Sequence, residues 1–254
     1  MSNKIKFPIL CLAFFGNLSL TAKYKDSSNI GTPAIVLKFG TGYYYGLGDL
    51  GKRFPQFSTL PAGFFYRSPR NLIFGIEYNR FLGNQYKLDS LYGGIMGPSL
   101  QILDKNGFPA VIRYYMRGYS FQGYVGKAFK ISPRSKYGQI QANIGGGIMQ
   151  HYIKMRFDKG ILPQLEGNYY EGYDRLTNGF MITQSLYYQY NNAQSLSFYC
   201  GINMVESFTK NQRNWDYGTM RKDNANRKDN YFGFAAGILI PIQIKSSNNT
   251  EYYD

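Results

Sequence analysis

The chain has 254 residues, room for one closed all-β domain, and its 25 Tyr, 19 Phe and 29 Gly against a single Trp favour pleated strands joined by turns. Only 17% of the residues are charged, yet the formal net charge is +14. The basic residues are scattered through turns and loops with no basic helix or RNA-binding signature, which excludes a nucleic-acid partner and fits outer-membrane lipids, lipopolysaccharide or acidic protein surfaces.

Lys4 and Lys6 precede an apolar run from Phe7 to Phe15, and Leu20-Thr21-Ala22 offers a cleavage site before Lys23, so residues 1–22 read as a signal peptide. Cys11 sits behind Leu10 rather than behind the small residue that a lipid anchor needs, and Cys200 reads as a small apolar filler. Beyond residue 22 there is no run of about 18 apolar residues, which excludes a transmembrane helix. A transmembrane barrel stays open, because its spans are about 10 residues of alternating polarity.

Residues 23–33 are assigned to a periplasmic N-terminal segment, 34–244 to a β-barrel and 245–254 to a polar tail. After Pro33 the alternation starts: Ile35, Leu37, Phe39, Thr41 and Tyr43 share one face, and Val36, Lys38, Gly40 and Gly42 the other. A second strand over about 57–67 ends at the turn signal 67–71. In the third, Leu72, Phe74, Ile76 and Tyr78 oppose Ile73, Gly75, Glu77 and Asn79. A fourth runs over about 112–129. In the fifth, from 138, Ile140, Ile144 and Ile148 oppose Gln139, Gln141, Asn143 and the glycines 145 and 147. Strands at about 179–190 and 195–208 flank a turn at 191–194, with Tyr199 and Asn203 on the polar row of the second. An eighth covers about 230–244.

Tight connections near 68–71, 131–136 and 191–194 alternate with long ones at 46–56, 83–110, 159–178 and 209–229. This predicts an antiparallel up-and-down transmembrane β-barrel of eight strands, with short periplasmic turns, long outer loops and both termini periplasmic. Tyrosines at strand ends, Tyr43 to Tyr45, Tyr187, Tyr188 and Tyr231, are assigned to the aromatic girdles. The lumen is expected to hold Glu77, Asn79, Gln139, Asn143, Tyr199 and Asn203, bonded to one another and leaving little space.

Five stretches, "RGYSFQGYVGK" (117–127), "GGGIMQHYIK" (145–154), "PQLEGNYYEGYDRLTNG" (163–179), "ESFTKNQRNWDYGTM" (206–220) and "NRKDNYFGFAAGILIPI" (226–242), resemble a family of small outer-membrane β-barrel proteins of Bacteroidota. About half the chain is covered. The resemblance implies an outer-membrane barrel without an active site, in some members an accessory subunit of the machines for barrel insertion or secretion, and so contact with other outer-membrane proteins.

The lone histidine, His151, is the candidate general base of a rival reading, a small enzyme acting on lipid A; no nucleophile elbow or paired acid is visible near it in sequence. A narrow pore is a third reading. Glu166, Glu171 and Asp174 share one connection but lack the spacing of a calcium loop. Glycines 145–147 carry no phosphate-loop pattern and are expected to make room for a large neighbour such as Tyr199. No cofactor, metal or catalytic residue is assigned. The segment "GYDRLTNGF" (172–180) reads as a loop anchor, with Asn178-Gly179 as its turn. Tyr173, Asp174, Arg175 and Asn178, together with Arg213, Trp215 and Asp216, are the expected loop-anchoring or partner-contact residues.

Overall fold

Eight strands form a closed antiparallel ring in sequence order. The computed structural model describes residues 33–87, 102–132, 137–159, 162–165, 167–191 and 197–243. The signal peptide, Cys11, nearly all of the N-terminal segment, residue 244, the tail, Glu166 and most of the turns at 131–136 and 191–194 lie outside them. The strands are β1 (Ala34–Leu47), β2 (Gln56–Arg67), β3 (Leu72–Gly83), β4 (Val111–Lys130), β5 (Gly138–Lys159), β6 (Thr177–Tyr190), β7 (Ser197–Asn211) and β8 (Asn226–Gln243). A short helix α1 (Gly48–Arg53) follows β1, and a single turn α2 (Asn168–Glu171) precedes β6.

The ring closes through β1 and β8. Following paired residues around it, from Ala34 through Arg67, Ile73, Gly126, Asn143, Ser185, Asn203 and Gly233 to Tyr44, returns to β1 ten residues farther along. A stagger of ten over eight strands tilts them by roughly 43° and leaves an interior that side chains fill.

Period-two alternation sorts the side chains. Phe39, Phe64, Phe74, Val125, Ile144, Leu186, Ile202 and Phe234 are exposed on the outer wall. Among the described residues this wall is predominantly apolar between its ends, the surface of a transmembrane barrel. Inside, a buried layer of Tyr44, Phe57, Phe81 and Tyr231 packs by stacked and edge contacts 5.2 to 6.0 Å apart. Tyr44, Tyr187 and Tyr231 therefore belong to the lumen and not to the girdles, because each shares strand parity with glycine or polar lumen residues. Tyr43, Tyr45 and Tyr188 do face outward. Cys200 also faces outward and fills no core gap. The room for Tyr199 comes from Gly40, where a Cβ would meet its hydroxyl, whereas Gly145 makes way for Tyr124 and Thr183.

With buried side chains at every level, the barrel is expected to show no conductance steps in planar bilayers. Recurrent single-channel openings would contradict a filled lumen.

Candidate functional site

Among the described residues, two clusters of paired charges stand inside the barrel. In the middle, Lys38 donates to Glu77 Oε2 at 2.6 Å, with both side chains at most 5% exposed. Asn79 Nδ2 and Gln122 Nε2 each donate to Glu77 Oε1 at 3.0 Å. The Lys38 ammonium lies 4.2 Å from the Tyr187 ring centroid and 4.6 Å from that of Tyr199. Beside this group, Asn143 donates to Ser185 at 2.8 Å, and Asn203 donates to the Tyr44 hydroxyl at 2.6 Å while accepting from that of Tyr187. Gln139 is buried near the short-turn end. The six expected lumen residues thus all point inward, and the lysine that neutralises Glu77 stands on the same face of β1.

The second cluster closes the long-loop end. Gly48 enters α1 with φ +61°, a left-handed conformation that glycine reaches without a Cβ clash. Asp49 in the first turn pairs with Lys52 at 2.8 Å and accepts from the Lys228 amide at 3.1 Å. These two donors hold its carboxyl below the usual carboxylate range, the lysine contributing most. The helix drives Leu50 and then Phe54 into the barrel mouth, both 0% exposed. Arg53 follows them down. Its Nη2 donates to the two Asp229 oxygens at 2.8 and 3.0 Å, and its Nη1 to Thr177 at 3.4 Å. His151 Nε2 lies 2.9 Å from Asp229 Oδ2, and the Thr209 hydroxyl donates to the same oxygen at 2.6 Å. One carboxylate therefore ties α1 to β5, β7 and β8.

The alternation in sequence puts residue 229 at the end of the 209–229 connection and opens the eighth strand near residue 230. The strand instead begins at Asn226, which puts Asp229 on the lumen row with Tyr231. It supplies the acid partner that no local pattern around His151 reveals. The pair has the composition of an acid-base dyad, but both side chains are 0% exposed beneath α1, and Arg53 compensates the carboxylate. A general base must reach a substrate proton directly or through one water.

Above α1 the connections on either side of β6 and β7 lock together. Arg213 grips Asp174 with two bonds, Nε to Oδ1 at 2.9 Å and Nη2 to Oδ2 at 2.5 Å, and reaches Glu171 at 3.0 Å. The Asp174 bonds raise the guanidinium pKa above its ordinary value. Arg175, with φ +47°, turns the other way and pairs with buried Asp216 at 3.1 Å. Main-chain bonds reinforce both contacts, from Ile153 to the Asp174 carbonyl at 2.7 Å and from Tyr217 to the Gly172 carbonyl at 3.1 Å. Tyr173 is buried against Tyr217, ring centroids 5.5 Å apart. Two expected members stand outside this clamp: Trp215 is 44% exposed, and Asn178 lies in β6. Asn178-Gly179 is therefore not a turn but ladder, paired with Gln150 and Met149 on one side. Among the described residues no group of three metal-ligating side chains occurs, and Asp174 and Glu171 are both engaged by Arg213.

Gly172 sets the closeness of the clamp, since a Cβ there would collide with the Tyr217 ring. Gly172→Ala is expected to cost about 1–3 kcal/mol by overpacking. Tryptic cleavage after Arg213 and Arg221 should rise while the barrel stays folded; unchanged cleavage would show that the ring yields freely.

No protein-family model matches this chain, and no curated protein matches it. Among solved structures it is similar to Neisserial surface protein A, with 12% identity over 81% of this chain and 96% of that one at a TM-score of 0.44. It is also similar to Ail, the attachment invasion locus protein of Yersinia pestis. For Ail in complex with the heparin analogue sucrose octasulfate, the identity is 10% over 82% of this chain and 99% of that one, with a TM-score of 0.39. For Ail alone the figures are 12%, 84%, 100% and 0.38.

Proposed function

We propose that the chain resides in the outer membrane, with its long loops outward and its termini periplasmic, and works there as a non-enzymatic scaffold or accessory subunit of a larger complex of the barrel-assembly or secretion type. The observation that carries this reading is the contrast between a solid interior and a fastened outer cap. The lumen holds buried ion pairs and aromatic layers where a transport path would run. The cap, by contrast, is tied by Asp174–Arg213 and Arg175–Asp216 and holds out Trp215, Met220 and Tyr169 at 44%, 64% and 58% exposure. Asp216 and Arg221 bridge the segment that carries Trp215 and Met220, and Tyr169 joins it through Tyr217, with ring centroids 5.7 Å apart. Exposed aromatic and Met side chains on a fixed frame, with Arg221 and Lys222 beside them, suit the central part of a protein contact. The resemblance to Bacteroidota barrels points the same way.

Photo-crosslinking from positions 215 and 220 in intact cells, with co-purification in mild detergent, tests this. Discrete adducts with other outer-membrane proteins are expected, and a strictly solitary protein would overturn it. The buried His151–Asp229 pair is the one observation favouring a lipid A-modifying enzyme. Under the scaffold reading His151→Ala leaves the lipid A profile unchanged, and an altered profile would decide for the enzyme.

A further inference from the structure

We propose that the wall formed by β3, β4 and β5 carries a built site for one phosphorylated acyl lipid of the outer leaflet, of the lipid A class. The proposal rests on the membrane placement above and not on the scaffold role. Its first component is a diagonal row of cations. Arg80 is paired with Tyr119 and Arg117 with Tyr152, so Arg80, Arg117 and Lys154 are each displaced by two residues from the direct partner of the next. Side chains in that relation on one face of adjacent strands lie about 7–8 Å apart. None of the three makes a salt bridge among the described residues. The nearest acid farther along the same wall, Asp158, is already held by Arg113 and Arg156. Arg117 is oriented by bonds to the carbonyls of Met116 and Gly83, at 2.7 and 3.3 Å, and by the Tyr115 ring 4.9 Å beneath its guanidinium. These contacts leave its charge without an anion.

The second component is aromatic. Tyr78 and Tyr119 stack with ring centroids 6.1 Å apart, and Tyr119 reaches Gln150 at 3.5 Å. Tyrosines at this level mark the boundary between headgroups and acyl chains. The third is a tail-sized depression below the cations. It is lined by Phe64, Phe74, Ile76, Gly123, Val125 and Ile144, and a Cβ built on Gly123 meets nothing within 4 Å. Gly123 lies six positions from Arg117 on the same face of β4, about 20 Å along the strand at 3.3 Å per residue, the reach of a fatty acyl chain. Unpaired cations above and an apolar notch below match a ligand with phosphate at one end and hydrocarbon at the other. Arginine forks suit phosphate oxygens, and the belt edge tolerates their charge.

Native mass spectrometry of the whole protein, purified in mild detergent and titrated with bisphosphorylated lipid A, with its dephosphorylated form or with phosphatidylethanolamine, tests the site. One bisphosphorylated lipid A is expected to stay bound under conditions that strip the other two. Arg80→Gln/Arg117→Gln/Lys154→Gln should weaken it at least tenfold, and Gly123→Leu should weaken it with every cation in place. Lys210→Gln/Lys228→Gln removes two exposed cations from the β7–β8 wall and should leave binding unchanged. Folding of each variant is checked by heat-modifiable migration on a gel. Equal binding of dephosphorylated lipid A, wild-type affinity in the triple variant, or the same loss from the β7–β8 pair would each overturn the proposal. Loss of crosslinked proteins with retained lipid would sink the scaffold reading alone.

Discussion

Asp229→Ala is expected to be the most destabilising single substitution in the loop end, by about 3–5 kcal/mol, because it strands a buried guanidinium. Arg53 loses both carboxylate contacts, and the Thr177 hydroxyl at 3.4 Å is the remaining acceptor. His151 and Thr209 lose the oxygen they share. No water can take over without opening α1, since Leu50 and Phe54 close the mouth above. The least costly response is for α1 to lift and carry Arg53 into solvent, exposing the two apolar side chains with it. Two readouts follow. The urea midpoint of the barrel in micelles should fall, and trypsin should gain access after Lys52 and Arg53. Arg53→Met with Asp229→Leu removes both charges and replaces them with hydrocarbon, so most of the loss should be recovered. A midpoint unchanged in Asp229→Ala would mean that the network does not hold the helix in place.

The same network shows where sequence reading stops. Strand parity is local: in β3 it separates Leu72, Phe74, Ile76 and Tyr78 from Glu77 and Asn79 with no knowledge of the neighbours. It likewise separates Lys38 from the apolar row of Ile35, Leu37 and Phe39. What it does not give is the partner, because the stagger between distant strands decides which lumen residues share a level. Arg53 and Asp229 are 176 positions apart and Lys38 and Glu77 are 39 apart, and neither pair has a spacing that announces it. Arg53 also lies in a connection without period-two patterning, so nothing marked it as interior. Asn178-Gly179 failed for a different reason. The pair has the composition of a turn, yet at Gly179 a Cβ would meet the Phe208 carbonyl, so the glycine serves close strand approach. Composition names a residue's permitted uses, and the register selects among them.

Lys38→Met tests whether the middle of the barrel depends on charge pairing or on packing. Removing the ammonium leaves Glu77, 3% exposed, with two neutral amide donors, Asn79 and Gln122. An ionised carboxylate so placed should cost about 3–5 kcal/mol. Glu77→Gln is the gentler change. It leaves Lys38 without its anion but still between the Tyr187 and Tyr199 rings, and a desolvated ammonium over aromatic faces retains about 2 kcal/mol. With both residues changed, the uncompensated charge disappears and the amide donors keep an acceptor. The expected order of urea midpoints is therefore wild type, then the double variant, then Glu77→Gln, with Lys38→Met lowest. Because the double variant loses less than Glu77→Gln alone, the double-mutant cycle should give a coupling at least as large as the Lys38→Met loss, about 3–5 kcal/mol. Additive losses would mean that Lys38 contributes only the volume of its stem to a lumen that its tyrosines already fill.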